Sequence, residues 1–288
     1  MNTSLAHLPL SKRQKLQAVI NVIVKAVQPE KVILFGMHSA KVSGLPLSGD
    51  NPLTGILGGY DLLVVTRRGD HRYDHELQDI IENRCRVHAP VTVLVHDIDH
   101  VNNQLLQGQY FFFLTQQEGI LLYDAGNIPL AAGVAPDLAQ IRAVAQEDFE
   151  RWRHRGKAFY RSAVFNLHQK EYRLAAFMLH QAAEHIYQGV LLAFTGYKPC
   201  THNLDKLRRY TNRFSLELAL LFPRDNEDEE ALFKLLQHGY VDARYKEDYM
   251  ITGEEVKTLA RRIENLLSIA ERVCRNRFLS LEKMAMGA

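Results

Sequence analysis

Hydrophobic and polar residues change rhythm twice along the chain, and the changes divide it. Between Ser11 and Val27 the apolar positions Leu16, Val19, Ile20, Ile23, Val24 and Val27 recur at helical spacing. Ser11 is a candidate cap for this helix and Pro29 closes it. From Val32 the helical period disappears. Val32, Ile33, Leu34 and Phe35 form one short apolar run and Leu62, Leu63, Val64 and Val65 a second, the pattern of strands buried on both faces. Residues 73–85 then read as a helix, 91–96 (VTVLVH) as a third strand, 105–117 as a helix packed on the sheet and 120–123 as a last strand. Residues 42–58 are rich in turn formers and read as a surface loop. Strands and helices mixed in this way predict a small α/β unit over residues 1–124.

Past Asp124 the pattern changes again. Residues 125–136 (AGNIPLAAGVAP) are dominated by Gly, Ala and Pro without a period, which predicts an interdomain linker. No strand signal follows. Helical patterns cover 137–168, 171–194, 203–212, 227–240 and 254–277, and the short connections between them predict a bundle over residues 137–288. The expected fold class is α+β, a small mixed-sheet unit followed by an all-α up-down bundle.

Composition narrows the setting. A chain of 288 residues, 47% hydrophobic and 24% charged, has enough apolar material for two cores. The net charge of +2 gives no global pull toward nucleic acid or membrane. Cys85, Cys200 and Cys274 are too widely spaced for a zinc ribbon or a disulfide framework, which fits a reducing compartment. No apolar run is long enough to span a bilayer, and the start of the chain lacks a signal-peptide pattern. The expectation is a soluble, cytoplasmic protein without membrane partners.

The candidate chemistry begins between the first two strands. KVILFGMHSAK places Gly36, His38 and Ser39 in the turn after a buried strand, and GGYDLLVV places Asp61 at the head of the next one. A glycine there lets the backbone approach a phosphate, and a carboxylate one strand over can hold a divalent cation against it. These residues resemble the minimal nucleotidyltransferases, of the DNA polymerase β-like type, whose pattern is Phe-Gly-Ser followed by Asp-x-Asp. The resemblance implies ATP or another nucleoside triphosphate at Gly36, His38 and Ser39, with Mg²⁺ on Asp61. The motif is degenerate: Met37 replaces its serine and Gly59 its first aspartate. One aspartate is too few for two-metal phosphoryl transfer, so weak or lost catalysis is expected.

The second half resembles a HEPN domain. The carriers are Gln181, Ala182 and Glu184 on one helix, His202 and Leu204 at the start of the next, and Ala243, Arg244 and Tyr245 late in the chain. The resemblance implies nucleotide or RNA handling and a homodimer through the helices. The apolar residues Phe177, Met178, Ile186, Leu191 and Leu192 suit such a dimer. Many HEPN domains are RNases that place a histidine four to six residues after an arginine. Arg244 has none in that window, and Tyr249 is a poor proton shuttle. Arg244 is expected to anchor the bundle through a carboxylate or to bind an anion.

Two further runs invite chemistry. HDIDH at 96–100 could hold a metal, but its position after the third strand favours helix capping by Asp97 or Asp99. RWRHRGKAFYR at 151–161 could contact RNA, but a helix spreads those cations around its circumference, with Trp152 buried against a neighbour. Three functions follow: a nucleotide-binding protein with a regulatory or toxin–antitoxin-like role, a metal-dependent nucleotidyltransferase acting on protein, RNA or a small molecule, and a protein-interaction module.

Overall fold

The computed structural model describes residues 1–38, 59–212, 214–223 and 226–286, Met37 and His38 by their backbone. The chain forms two compact units, Met1–Pro136 and Asp137–Ala288. The expected loop at 42–58 and the candidate Ser39 lie outside the described residues.

In the first unit, α1 (Leu10–Val27) leads into a four-stranded mixed sheet of β1 (Lys31–His38), β2 (Gly59–Thr66), β3 (Val91–Asp97) and β4 (Ile120–Asp124). The spatial order is β3-β2-β1-β4. β1 runs antiparallel to both its neighbours, while β2 and β3 are parallel, joined by α2 (Asp74–Cys85). Val32, Leu34, Leu62, Val64, Val93 and Val95 face a core closed by α1 and α2. Their alternates Ile33, Leu63 and Leu94 are also buried, on the face covered by α3 (Ile98–Leu106) and α4 (Tyr110–Glu118). Burial on both faces is why these strands show continuous apolar runs and no alternation.

The single helix expected over 105–117 is two. Gly108 sits between α3 and α4 with φ +65°, a left-handed conformation that glycine adopts without steric cost, and the chain turns there. Residues 125–136 also differ from expectation, because they are fastened to the sheet unit. Glu30 accepts the backbone N–H groups of Asn127 at 2.9 Å and Ile128 at 2.8 Å, and the Asn127 amide at 3.0 Å. Asn102 and Gln116 grip the backbone further along, and Val134 N–H donates to the Leu105 carbonyl at 3.0 Å.

The second unit contains seven helices among the described residues. They are α5 (Leu138–His168), α6 (Tyr172–Thr195), α7 (Leu204–Thr211), α8 (Leu216–Leu220), α9 (Glu227–His238), α10 (Asp242–Tyr245) and α11 (Gly253–Met286). The short α8 and α10 were hidden from the sequence pattern, since one or two turns leave no period. α5 and α6 pack as a hairpin, with α11 against both. α6 is buried on nearly all sides from Ala182 to Ala193, so it is the central rod of the unit. Gly156 of α5 lets the pair approach, because a Cβ there would meet Ile186 Cγ1 at 2.9 Å.

Candidate functional site

The first candidate lies at the end of β1. Gly36 pairs with Asp61 across the β1–β2 ladder, and the register slips between Leu34 and Gly36. A Cβ on Gly36 would come within 3.1 Å of Asp61 Cβ and Cγ, and closer still to Oδ2, so the glycine makes room for the carboxylate. Asp61 is 2% exposed. Its neighbour on β3 is Thr92, also buried. His38 pairs with Gly59 at the end of the ladder. Among the described residues no group of three or more His, Cys, Asp or Glu side chains is placed to hold a metal.

The HDIDH run caps a helix. Asp97 accepts the His100 backbone N–H at 2.8 Å as N-cap of α3, and Asp99 takes both ends of the Arg68 guanidinium at 2.6 and 2.7 Å. His96 and His100 stack at 4.6 Å with Phe112 against both. Burial and the neighbouring His96 push the His100 pKa down, and the ring is a packing group.

The second candidate is a polar cluster in the helical unit. Glu184, 6% exposed, projects from the central α6. Gln181, one turn earlier, donates to its Oε2 at 3.2 Å. His202 Nδ1 lies 3.0 and 3.1 Å from the two carboxylate oxygens. The fully buried His180 places Nε2 3.6 Å from Oε2 and Nδ1 3.1 Å from the Leu236 carbonyl. A carbonyl only accepts, so His180 Nδ1 carries the proton of that bond. Burial alone would raise the Glu184 pKa, but the contacts with His180 and His202 outweigh it and hold the carboxyl below its ordinary range. The His202 side chain remains 59% exposed, with one nitrogen fixed by Glu184.

Tyr240 ties this network to the Ala-Arg-Tyr turn. Its ring stacks with His202 at 4.5 Å and with His180 at 5.2 Å. The Arg244 guanidinium lies 4.6 Å from the Tyr240 ring, 4.9 Å from Phe177 and 4.8 Å from Tyr245, while Nε donates to the Tyr240 carbonyl at 2.6 Å. Arg244 makes no ion pair among the described residues, so the carboxylate anchor expected for it is replaced by aromatic faces. Arg173 on α6 donates to the carbonyls of Ala243, Lys246 and Glu247 and fixes the turn that presents it. Tyr249 is buried with its hydroxyl on the Leu235 carbonyl, and burial pushes its pKa up; it is structural.

Comparison with protein families assigns this region. Residues 149–273 match the HEPN domain family. They form a HEPN domain. The five residues expected from the HEPN pattern, Gln181, Glu184, His202, Arg244 and Tyr245, converge on one face of this domain. No nucleotidyltransferase family match supports the resemblance of the first unit, and no curated protein matches the chain.

Two members of the HEPN cluster escaped the sequence reading. His180 had a signal, its place four residues before Glu184 on the same helical face. Tyr240 had only its place four residues before Arg244. Two of the five cations in the basic run on α5 are salt-bridged: Arg151 pairs with Asp148, and Arg153 with Glu150 and Glu271. Arg155 and Lys198 instead lie 5.5 Å from the half-buried Trp152 ring, beside His185.

Proposed function

We propose that the protein binds a nucleotide, that the HEPN domain supplies the binding surface, and that the domain joins two copies of the chain in a regulatory assembly. The observation that carries this reading is the placement of two exposed cationic or polar groups, His202 and Arg244, against one tyrosine ring above a buried carboxylate. A guanidinium held on aromatic faces keeps most of its N–H groups turned outward, where a phosphate accepts them in pairs. An exposed imidazole whose Nδ1 is held by Glu184 offers its second ring nitrogen and a flat surface for a base. Ordering both side chains in advance lowers the entropic cost of capture.

Calorimetric titration of the full chain with AMP, ADP and ATP, each with and without Mg²⁺, tests this. Binding is expected for at least one nucleotide, lost in Arg244→Ala and in His202→Ala and kept in Asp61→Asn. Loss only in Asp61→Asn would move the site to the sheet unit and reopen the nucleotidyltransferase reading, with Gly36 and Ser39 on the phosphates. No heat with any nucleotide would defeat the proposal and leave the interaction module. Light scattering of the full chain is expected to show a dimer.

A further inference from the structure

Among the described residues, the backbone of residues 129–133 is bonded on one side only. Asn102 donates to the Pro129 carbonyl at 3.2 Å and accepts the Ala131 N–H at 2.7 Å. Gln116 donates to the Ala131 carbonyl at 2.6 Å and accepts the Gly133 N–H at 2.9 Å. All four bonds involve odd-numbered residues, the signature of an extended strand bonded along one edge. A methyl on Gly133 would crowd Gln116 Oε1 at 2.6 Å, so close approach on this side is built into the sequence. In such a strand the N–H and C=O groups of Leu130 and Ala132 point to the other edge, and they have no hydrogen-bond partner among the described residues.

A cavity of about 710 Å³ is lined by this segment, by Lys31 and Asp124, and by Asn2 and Leu121 beyond them. The far wall is itself a sheet margin, because Asn2 bridges to Ile120 of β4 and its carbonyl accepts from Leu121 N–H at 2.8 Å. Lys31, with a side chain 3% exposed, holds Asp124 Oδ1 at 2.6 Å, and Gly126 N–H adds to the same oxygen at 2.8 Å. The Asp124 side chain is still 40% exposed and leaves Oδ2 as an acceptor at the cavity.

We propose that this groove binds an extended peptide segment of a partner protein, by strand addition to the free edge at Leu130 and Ala132, with a lysine or arginine of the peptide on Asp124. Unpaired backbone edges recruit strands because each added residue pairs groups that otherwise depend on water. The cavity volume falls within the range of small-ligand sites, enough for a few residues of peptide. The carboxylate selects a basic side chain through charge complementarity.

The test is fluorescence anisotropy of the full chain with a labelled eight-residue peptide alternating valine with threonine and lysine, and with its glutamate-for-lysine counterpart. Saturable binding of the lysine peptide is expected, at least about tenfold tighter than the glutamate peptide. Asp124→Asn should erase that preference. Leu130→Pro and Ala132→Pro each remove one donor that has no partner among the described residues, and should weaken binding about tenfold without lowering the melting temperature. If a proline variant fails to fold, amide exchange of the unaltered protein decides: saturating peptide should slow Leu130 and Ala132 and leave Ala131 and Gly133 unchanged. Absence of saturable binding, or unchanged exchange at Leu130 and Ala132, would overturn the proposal. Slowing of those two amides by protein concentration alone would also overturn it, by assigning the edge to a second copy.

Discussion

Glu30 in the first unit and Glu184 in the second are both buried carboxylates held below their ordinary pKa range, and they are satisfied by different partners. Burial would raise the Glu30 pKa, but the Asn127 amide and the N–H groups of Ile128 and Asn127 outweigh it. Those partners carry no charge. Glu184 is ringed by an amide and two imidazoles, one of them exposed. A carboxylate wrapped in backbone donors fastens a segment and responds to little else. One held by side chains of three separate residues, with one imidazole exposed, keeps its network within reach of solvent.

The strongest way to break this contrast is Glu184→Ala. It leaves the buried His180 and the ordered His202 without their carboxylate and should cost about 3 kcal/mol, close to the range for breaking a buried charged pair. Glu184→Gln keeps an acceptor and should cost about 1 kcal/mol. Urea unfolding of the full chain, followed by tryptophan fluorescence, reads the difference, since Trp152, the only tryptophan, lies in the helical unit. Equal effects of Ala and Gln would mean that charge contributes nothing at this position.

Glu30→Ala should cost about 2 kcal/mol, the scale for stranding hydrogen-bonded donors inside a protein. Its signature is local: amide exchange at Asn127 and Ile128 should accelerate while the strands stay protected. If the strands exchange equally fast, Glu30 supports the whole sheet and is no clasp.

Gly36→Ala places a methyl against the Asp61 carboxylate and should destabilise by about 1–3 kcal/mol, the range for overpacking. Removing that carboxylate in the double variant with Asp61→Ala should recover part of the loss. Additive costs in the double-mutant cycle would show that the glycine serves some other contact.

The smallest effects are those of pH. Both Glu30 and Glu184 have lowered pKa values when folded, so their stabilisation is complete above the unfolded carboxylate range and is lost as pH falls through the folded values. His185 acts earlier. Burial lowers its pKa, with Arg155 and Lys198 adding to the effect. The unfolded state therefore takes up its proton first as pH falls below about 6.5, and stability declines from there. His185→Gln should make the decline between about pH 7 and pH 5.5 shallower, with His100, whose pKa burial also lowers, supplying the remainder, while leaving the loss below about pH 4.5 in place. A profile identical to that of the unaltered protein would exclude His185 from the titration.

Much of this architecture is written locally. The apolar runs at Val32–Phe35 and Leu62–Val65 declare strands buried on both faces, the period of 171–194 declares the central helix, and the loss of strand signal past residue 136 separates the two units. The HEPN residues could be named in advance because their spacing within α6 and at the start of α7 is a property of the chain itself. Tertiary structure alone decided the partners. Glu30 reaches a backbone N–H 97 residues away, Asn102 and Gln116 hold a segment with no period of its own, and His180 and His202 meet over Tyr240. Burial imposes a repeat on a sequence because it recurs with every turn or pleat. A hydrogen bond between distant residues is made once, leaves no repeat, and exists only after the core has brought its two ends together.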